Sequence, residues 1–188
     1  KEIDRLRTKI DIKKNCFVIG HVGRFSVEKN HNFFISIANI LIKKGMNFKI
    51  VLVGDGELKE DFEKKVSALN LEDYFYFAGS QSNIENYYHI FDILLFPSFN
   101  EGFGNVVVEA QAAKKPVIAS KGVSRQVDIG LNLVTFISLN DLEKWIDKII
   151  FLKKNNQSIS SESVREALNS KGFGIESVVK KHCEIYDI

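Results

Sequence analysis

Two carboxylates and two glycines lie close together within residues 97–120 of the sequence. Glu101 stands before Gly102 and Gly104, and Glu109 follows in a segment of good helix formers. A glycine loop that leads into a helix presents free backbone N–H groups and a partial positive charge at the helix N-terminus. The stretch therefore predicts a site for an anionic ligand such as a phosphate.

The spacing of the two acids argues against a pair that flanks a single bond. If the helix begins near Gly104, Glu109 lies about 7 Å further along its axis, because each residue adds ~1.5 Å. Retaining hydrolases hold their two carboxyl groups only about 5 Å apart. Glu101 and Glu109 are expected instead to hold opposite ends of an extended ligand. Each acid taken alone is equally consistent with an ordinary exposed residue.

A second group of polar residues follows the first apolar run, in the order Gly23-Arg24 and then Lys29-Asn30. Glycine permits close approach to the backbone, arginine offers a planar fork for phosphate oxygens, and lysine offers a point charge. Taken alone, this pattern favours two basic residues on an exposed loop. The turn 54–56, Gly-Asp-Gly, is a weaker signal, because a tight turn needs no ligand and the spacing of an NAD fingerprint is missing.

Together these segments resemble the donor-binding, C-terminal domain of the retaining glycosyltransferases of family 4, which use nucleotide-sugar donors. Residues 97–120 match the pattern P-S-x-x-E-G-x-G-x-x-x-x-E-A-x-A-x-x-x-P-V-I-A-S. Residues 23–30, which we call the first turn, match G-R-x-x-x-x-K-N. Gln111 stands where Met is common, and Lys115 where Gly is common. The resemblance covers about residues 18–120, weakens over 121–140 and returns faintly over 173–186.

The resemblance implies a role for each polar residue. Arg24 and Lys29 would hold the donor diphosphate. Glu109 would hold the ribose hydroxyls, and Glu101, the expected catalytic residue, would meet the transferred hexose. The donor-binding residues expected on this basis are Gly23, Arg24, Lys29, Gly102, Phe103, Gly104, Asn105 and Glu109. Those expected near the base are Gly54, Gly79, Ser80, Gln81 and Ile84.

The same resemblance implies the reaction. A hexosyl unit would pass with retention from a UDP-, GDP- or ADP-sugar to a glycan, a lipid or another acceptor, by same-face attack. No metal or cofactor is expected, because cationic side chains and the helix dipole offset the leaving diphosphate.

The resemblance also implies two Rossmann-like domains that face a cleft, the GT-B architecture. The acceptor contacts, and peripheral association with the inner face of the membrane, would belong to an N-terminal domain that this chain does not contain. This chain alone is therefore expected to be inactive. Two alternatives stay open, half of a nucleotide-sugar epimerase and a stand-alone nucleotide-binding regulatory module.

Alternating strand and helix patterns surround the two polar groups. Strands are predicted at 16–21, 48–53, 74–77, 91–96, 116–119 and 134–137, with helical patterns between and after them. This alternation predicts an α/β fold, a single Rossmann-like domain with a doubly wound parallel sheet of about six strands and helices on both faces. Residues 1–14 are predicted to be a linker or connecting segment, and 15–188 the nucleotide-sugar-binding domain.

Some details of the helices are also predicted. Leu58, Phe62, Val66 and Leu69 are expected on the inward face of one helix, and Asn140 is expected to cap another. Residues 175–186 are expected to form a terminal helix.

Composition excludes several classes of protein. The 188 residues carry 26 Lys and Arg against 24 Asp and Glu, a formal charge of +2, which provides no field for binding nucleic acid. The cysteines, Cys16 and Cys183, form no disulfide framework and are predicted to be small core residues in a reducing compartment. No apolar run approaches the ~18 residues of a membrane span, so a cytoplasmic location is expected. The four scattered histidines predict neither a metal cluster nor a catalytic histidine.

Overall fold

The apolar runs of the sequence form one parallel sheet. The computed structural model describes residues 1–155 and 158–174. Its strands in chain order are β1 Phe17–Val22, β2 Phe48–Val53, β3 Phe75–Gly79, β4 Ile93–Phe96, β5 Val117–Ser120 and β6 Val134–Ile137. They lie in the order β3-β2-β1-β4-β5-β6, and every neighbouring pair is parallel. The predicted sheet is thereby confirmed.

Helices cover both faces of this sheet, as predicted. Their bounds are α1 Glu2–Lys9, α2 Asn32–Lys43, α3 Lys59–Ala68, α4 Ile84–Ile90, α5 Asn105–Ala112, α6 Leu142–Lys154 and α7 Ser161–Ser170. Helices α2, α3 and α6 pack on one face, where Phe34, Phe62 and Trp145 are buried. Helices α1, α4 and α5 pack on the other. Burial of both faces explains why the central strands are continuous apolar runs instead of alternating ones.

Strand β4 begins two residues later than the apolar run that predicted it. The backbone N–H of Asp92 still donates to the carbonyl of Val18, at 2.9 Å, but the N–H of Val18 donates to the Asp92 carboxylate, at 2.7 Å, so a side chain supplies the acceptor at this end of the β1–β4 pairing. Pro97 ends the strand, as expected of a residue that has no N–H to donate.

Residues 1–14, predicted to be a linker or connecting segment, include a helix, α1, which packs against α4. Two local predictions need correction. Leu69 is 50% exposed, because α3 ends at Ala68 and the chain turns through Asn70 with φ 54°, so that Leu71 enters the core instead. The cap of α6 is Asp141, whose carboxylate accepts from the N–H of Lys144, and not Asn140.

The predicted terminal helix, with Cys183, lies outside the described residues. Cys16 is only partly buried, and this burial raises the pKa of its thiol. No helix in the described part of the chain is long and apolar enough to cross a membrane.

Candidate functional site

The two polar groups of the sequence meet where the strand order reverses. From β1 the chain moves outward to β2 and β3, then returns so that β4 pairs with the other side of β1. The loops that leave β1 and β4 therefore diverge and leave a crevice at the carboxyl ends of these strands, which is where open α/β sheets bind ligands. The first turn follows β1, and the glycine loop follows β4.

Backbone contacts hold the glycine loop in place. Glu101 donates its N–H to the carbonyl of Gly122 at 3.1 Å and forms a parallel bridge with Val123. A Cβ at Gly122 would lie 2.1 Å from the carbonyl oxygen of Phe99, so only glycine permits this approach. Gly104 precedes α5 with φ 77°, a left-handed conformation that favours glycine. The position of Glu101 thus depends on the loop after β5 as well as on its own.

Lys29 and Glu101 contact each other directly. The ammonium group of Lys29 donates a hydrogen bond to the Glu101 carboxylate, and the two side chains are only 18% and 22% exposed. The same ammonium lies 4.7 Å from the centre of the Phe96 ring. From the sequence, these residues were expected at different parts of a ligand. The two charges neutralise each other.

Arg24 is paired as well, but loosely. Its Nε and Nη2 each lie 3.1 Å from Oε2 of Glu57, and the two side chains are 72% and 54% exposed. Exposed pairs of this kind contribute little, so the guanidinium remains available to an anion. Glu57 was missed in the sequence, where its position just after the 54–56 turn was the only signal.

The glycines of the 54–56 turn have a packing role. A Cβ at Gly54 would lie 2.0 Å from the carbonyl oxygen of Gly23, and one at Gly56 would lie 2.6 Å from that of Phe25. Gly54 also donates its N–H to the carbonyl of Gly79 at 2.9 Å. The 54–56 turn therefore packs against the backbone of the first turn. It also brings Gly54 and Gly79, two of the residues predicted near the base, into contact with each other.

Glu109 projects from α5 into a second part of the site. Its Oε2 accepts a hydrogen bond of 2.7 Å from the hydroxyl of Tyr88, a residue of α4. Both side chains line a groove of about 480 Å³ between α4 and α5, together with Ser82 and Ile84. Tyr88 and Ser82 were not identified from the sequence, because their role depends on how the two helices pack.

The remaining predicted base-proximal residues lie at the end of β3. Ser80 is exposed, and the side-chain amide of Gln81 donates to the carbonyl of Ala78 at 2.6 Å. Gln81 lines a different groove, between α1 and α4. Of the residues predicted near the base, the structure thus brings Ile84 to the groove of Glu109.

The other predicted donor-binding residues surround the N-terminus of α5. Gly102 and Asn105 are exposed, and among the described residues, the two chain neighbours aside, no atom lies within 4 Å of a Cβ built on Gly102. The ring of Phe103 packs instead against Phe173, with centroids 5.6 Å apart. The backbone of the loop is therefore open to a ligand, while its aromatic side chain anchors it to the segment after α7.

Gln111, where the sequence departs from the family pattern, is fully buried, and both the nitrogen and the oxygen of its side-chain amide are hydrogen-bonded. Its amide donates to the carbonyls of Val107 at 2.9 Å and Val127 at 2.7 Å, and its oxygen accepts from the N–H of Ile129 at 3.1 Å. It therefore joins α5 to the 125–129 segment. The unusual residue at 111 and the unusual sequence after β5 form one structural unit.

Two histidines lie beneath the first turn, on the β1 side. His21 is fully buried with Nδ1 3.0 Å from the carbonyl oxygen of Leu95, and His31 stacks on Phe25 with centroids 3.9 Å apart. Burial, opposed for His21 by the Leu95 carbonyl, lowers the pKa of His21 to about 4, and burial lowers that of His31 to about 2. Both rings are neutral at physiological pH. Within residues 1–155 and 158–174, no group of three His, Cys, Asp or Glu side chains is arranged to hold a metal ion.

Comparison with known proteins identifies the family. The family model described as glycosyl transferases group 1 matches residues 2–171. The chain is 34% identical over 178 residues to the putative glycosyltransferase EpsF of Bacillus subtilis, a match that covers 94% of this chain and 46% of that protein. The chain thus spans about half the length of the curated relatives that it matches.

Solved structures show the same fold. HepE from Anabaena, crystallised in complex with UDP and glucose, superposes with a TM-score of 0.81 at 25% identity, over 99% of this chain and 52% of that one. The C-terminal domain of LpcC, a glycosyl transferase group 1 family protein from Francisella tularensis, superposes with a TM-score of 0.62 at 26% identity, over 88% of this chain and 86% of that one. With the matched family model, these similarities show that the chain belongs to the group 1 glycosyltransferases.

Proposed function

We propose that this chain is the donor-binding domain of a retaining family 4 glycosyltransferase of GT-B architecture. It binds a nucleoside diphosphate sugar, and the complete enzyme transfers the hexosyl unit to a glycan, a lipid or another acceptor. The observation that carries the proposal is the contact between Lys29 and Glu101 in the crevice between β1 and β4, beside the N-terminus of α5. A cation for phosphate and a carboxylate for the sugar stand there side by side.

In this proposal the diphosphate lies over the glycine loop. Arg24 releases its exposed partner and binds phosphate oxygens with its planar fork. Lys29 keeps Glu101 as one partner and adds a phosphate oxygen as another, since an ammonium group has three donors. The exposed backbone of Gly102 and the N-terminus of α5 supply further N–H groups and the favourable end of the helix dipole.

The pairing of Lys29 with Glu101 suits the departure of a phosphate from a sugar. As that bond breaks, negative charge grows on the diphosphate and positive charge grows on the sugar carbon. Lys29 stabilises the first, and Glu101 stabilises the second. Attack by the acceptor on the same face retains the configuration. Charge development is thus met by residues of this chain, and we propose that no metal takes part.

At the other end of the donor, Glu109 accepts hydrogen bonds from the ribose hydroxyls. The base lies toward Ile84 and the end of β3, across the groove that these residues share. UDP is the nucleotide to test first, because HepE was crystallised with it.

The acceptor side belongs to a separate N-terminal domain in this proposal. The chain covers 46% of EpsF, which leaves room for a second domain of similar size. Residues 1–14, with α1 packed on α4, connect the two domains. Acceptor contacts, and peripheral association with the membrane, come from that domain. Nothing in the part of the chain that the structure describes favours the epimerase alternative.

Isothermal titration calorimetry of the 188-residue chain tests the ligand class. We expect binding of at least one of UDP, GDP and ADP, and no binding of NAD. The affinity should be modest, because the other wall of the cleft is absent. Binding of NAD with no response to the three diphosphates would reject the proposal.

A further inference from the structure

Tyr88 is a buried residue whose hydroxyl donates a hydrogen bond to the side chain of an exposed residue. It is 4% exposed within α4, whereas Glu109 on α5 is exposed to solvent. The 2.7 Å hydrogen bond between the Tyr88 hydroxyl and Oε2 of Glu109 links these two helices across the groove. A glutamate on a helix surface ordinarily samples several rotamers, so this contact restricts a side chain that would otherwise be mobile.

The ring of Tyr88 is itself held rigidly. It meets Phe91 edge to face, with centroids 5.9 Å apart and an interplanar angle of 82°. Phe91 is fully buried against β1, where a Cβ on Gly20 would lie 2.2 Å from its ring. The position of the hydroxyl is therefore determined by packing from the central strand outward.

The direction of the hydrogen bond is also determined. Burial raises the pKa of Tyr88, and the hydrogen bond to Glu109 and the negative charge of that carboxylate raise it further. The phenol therefore stays protonated and is the donor of this hydrogen bond. The other carboxylate oxygen, Oε1, accepts no hydrogen bond from any described residue, and Glu109 lines the groove.

We infer that Tyr88 is a positioning residue for ribose recognition. It anchors one oxygen of Glu109, so that the carboxylate is already oriented for the vicinal hydroxyls of a ribose before the nucleotide arrives. Binding then loses less side-chain entropy than it would with a free glutamate. The inference rests on the proposed role of Glu109 in the donor site.

The test compares UDP with 2′,3′-dideoxy-UDP, which lacks the hydroxyls that Glu109 would bind. Tyr88→Phe removes a single oxygen atom and keeps the ring that packs on Phe91. We expect it to weaken UDP binding by roughly three- to tenfold, the range of one hydrogen bond. Binding of 2′,3′-dideoxy-UDP should not change. A residue with only a structural role would affect both ligands alike.

Tyr87→Phe is the matched control. Tyr87 is the neighbouring residue on α4, is equally buried at 2% exposure, and forms no hydrogen bond through its hydroxyl with the described residues. It should leave the ratio of the two affinities unchanged. A double-mutant cycle completes the design, since Tyr88→Phe should have no further effect on UDP binding once Glu109→Ala has removed the acceptor.

The outcomes separate the inference from the proposed function. If the wild-type chain discriminates between the two ligands and Tyr88→Phe keeps the full discrimination, the inference is wrong and the ribose role of Glu109 stands. If the wild-type chain binds neither ligand, the proposed function is wrong and the inference fails with it. A measurement on the wild-type chain tests the inference even if the variants fail to fold. The Tyr88 hydroxyl proton should exchange slowly with water in NMR spectra, and rapid exchange would overturn the inference.

Discussion

Replacing Glu101 by Gln is predicted to strengthen nucleotide binding while it weakens catalysis. The substitution keeps the size of the side chain and one acceptor oxygen, but removes the charge. In the wild-type chain the Lys29 ammonium is bonded to this carboxylate, with both side chains about four-fifths shielded from solvent. In the variant that ammonium has no counter-ion until a phosphate arrives.

The magnitude follows from the charge that a diphosphate would otherwise meet. A phosphate oxygen bound to Lys29 would lie about 5 Å from the Glu101 carboxylate, and two like charges at that distance repel by ~3 kcal/mol at an effective dielectric constant of about 20. Salt and partial exposure reduce this by roughly half. We therefore expect UDP to bind about 1 to 2 kcal/mol more tightly, or roughly five- to thirtyfold.

Catalysis should change in the opposite direction. Glu101 is proposed to stabilise positive charge at the sugar carbon, an interaction that matters mainly in the transition state. In the complete enzyme, kcat should fall by roughly a hundredfold, the scale of losing one electrostatic stabiliser. Calorimetry with UDP and single-turnover transfer measure the two effects separately.

Glu57→Gln is the control, because it removes the partner of Arg24 from an exposed pair. Its effect on UDP affinity should stay within about threefold, since exposed pairs contribute little. The gain in Glu101→Gln should also shrink as salt is added. If Glu101→Gln weakened UDP binding by more than about threefold, Glu101 would be binding the nucleotide itself, and its assignment to the sugar would be refuted.

Four further predictions concern other parts of the chain. Glu109→Ala should weaken UDP binding by about ten- to a hundredfold, the range of a charge-assisted hydrogen bond, and calorimetry showing less than a threefold loss would contradict the ribose assignment. The 188-residue chain alone should transfer no sugar from a UDP-sugar, so that robust product formation in a radiolabel assay would contradict the two-domain proposal. Burial holds the pKa of His21 at about 4 in the folded chain, against about 6.5 when unfolded, so the unfolded chain binds the proton first as the pH falls. The stability due to neutral His21 is thus complete above about pH 6.5, and about 2 kcal/mol of it is lost by about pH 5; neutral His31, whose pKa burial lowers to about 2, adds a loss of about 2 kcal/mol over the same range. Urea unfolding at a series of pH values measures this loss. The surface variant His89→Gln should show the same loss, and a free energy of unfolding that does not change with pH would disprove the prediction. Gly54→Ala should lower the free energy of unfolding by at least about 2 kcal/mol, since its Cβ would lie 2.0 Å from the Gly23 oxygen; an unchanged thermal midpoint would show that the turn can move.

Most helices and strands that surround the site could be predicted from the amino-acid sequence. The run 48–53 coincides with β2 and the run 134–137 with β6, because strands buried on both faces must be apolar throughout. Pro97 marks the end of β4, and Gly104 marks the start of α5. These signals are local, since they depend on backbone chemistry and on side-chain periodicity within a few residues. Alternation of strands and helices then leaves few possible topologies, so a doubly wound parallel sheet could also be predicted.

The contacts between polar side chains could not be predicted, because they depend on how distant segments pack. Lys29 and Glu101 are 72 residues apart and belong to different loops, so their contact depends on the pairing of β1 with β4 and on the loop after β5. Tyr88 reaches Glu109 because of the angle at which α4 and α5 pack, which no periodicity records. The 54–56 turn was only a weak signal in the sequence, and the structure shows that its glycines are required by the close approach of another backbone segment. Side-chain partners across the fold depend on distances of a few tenths of an ångström, and those distances are set only when the core has packed.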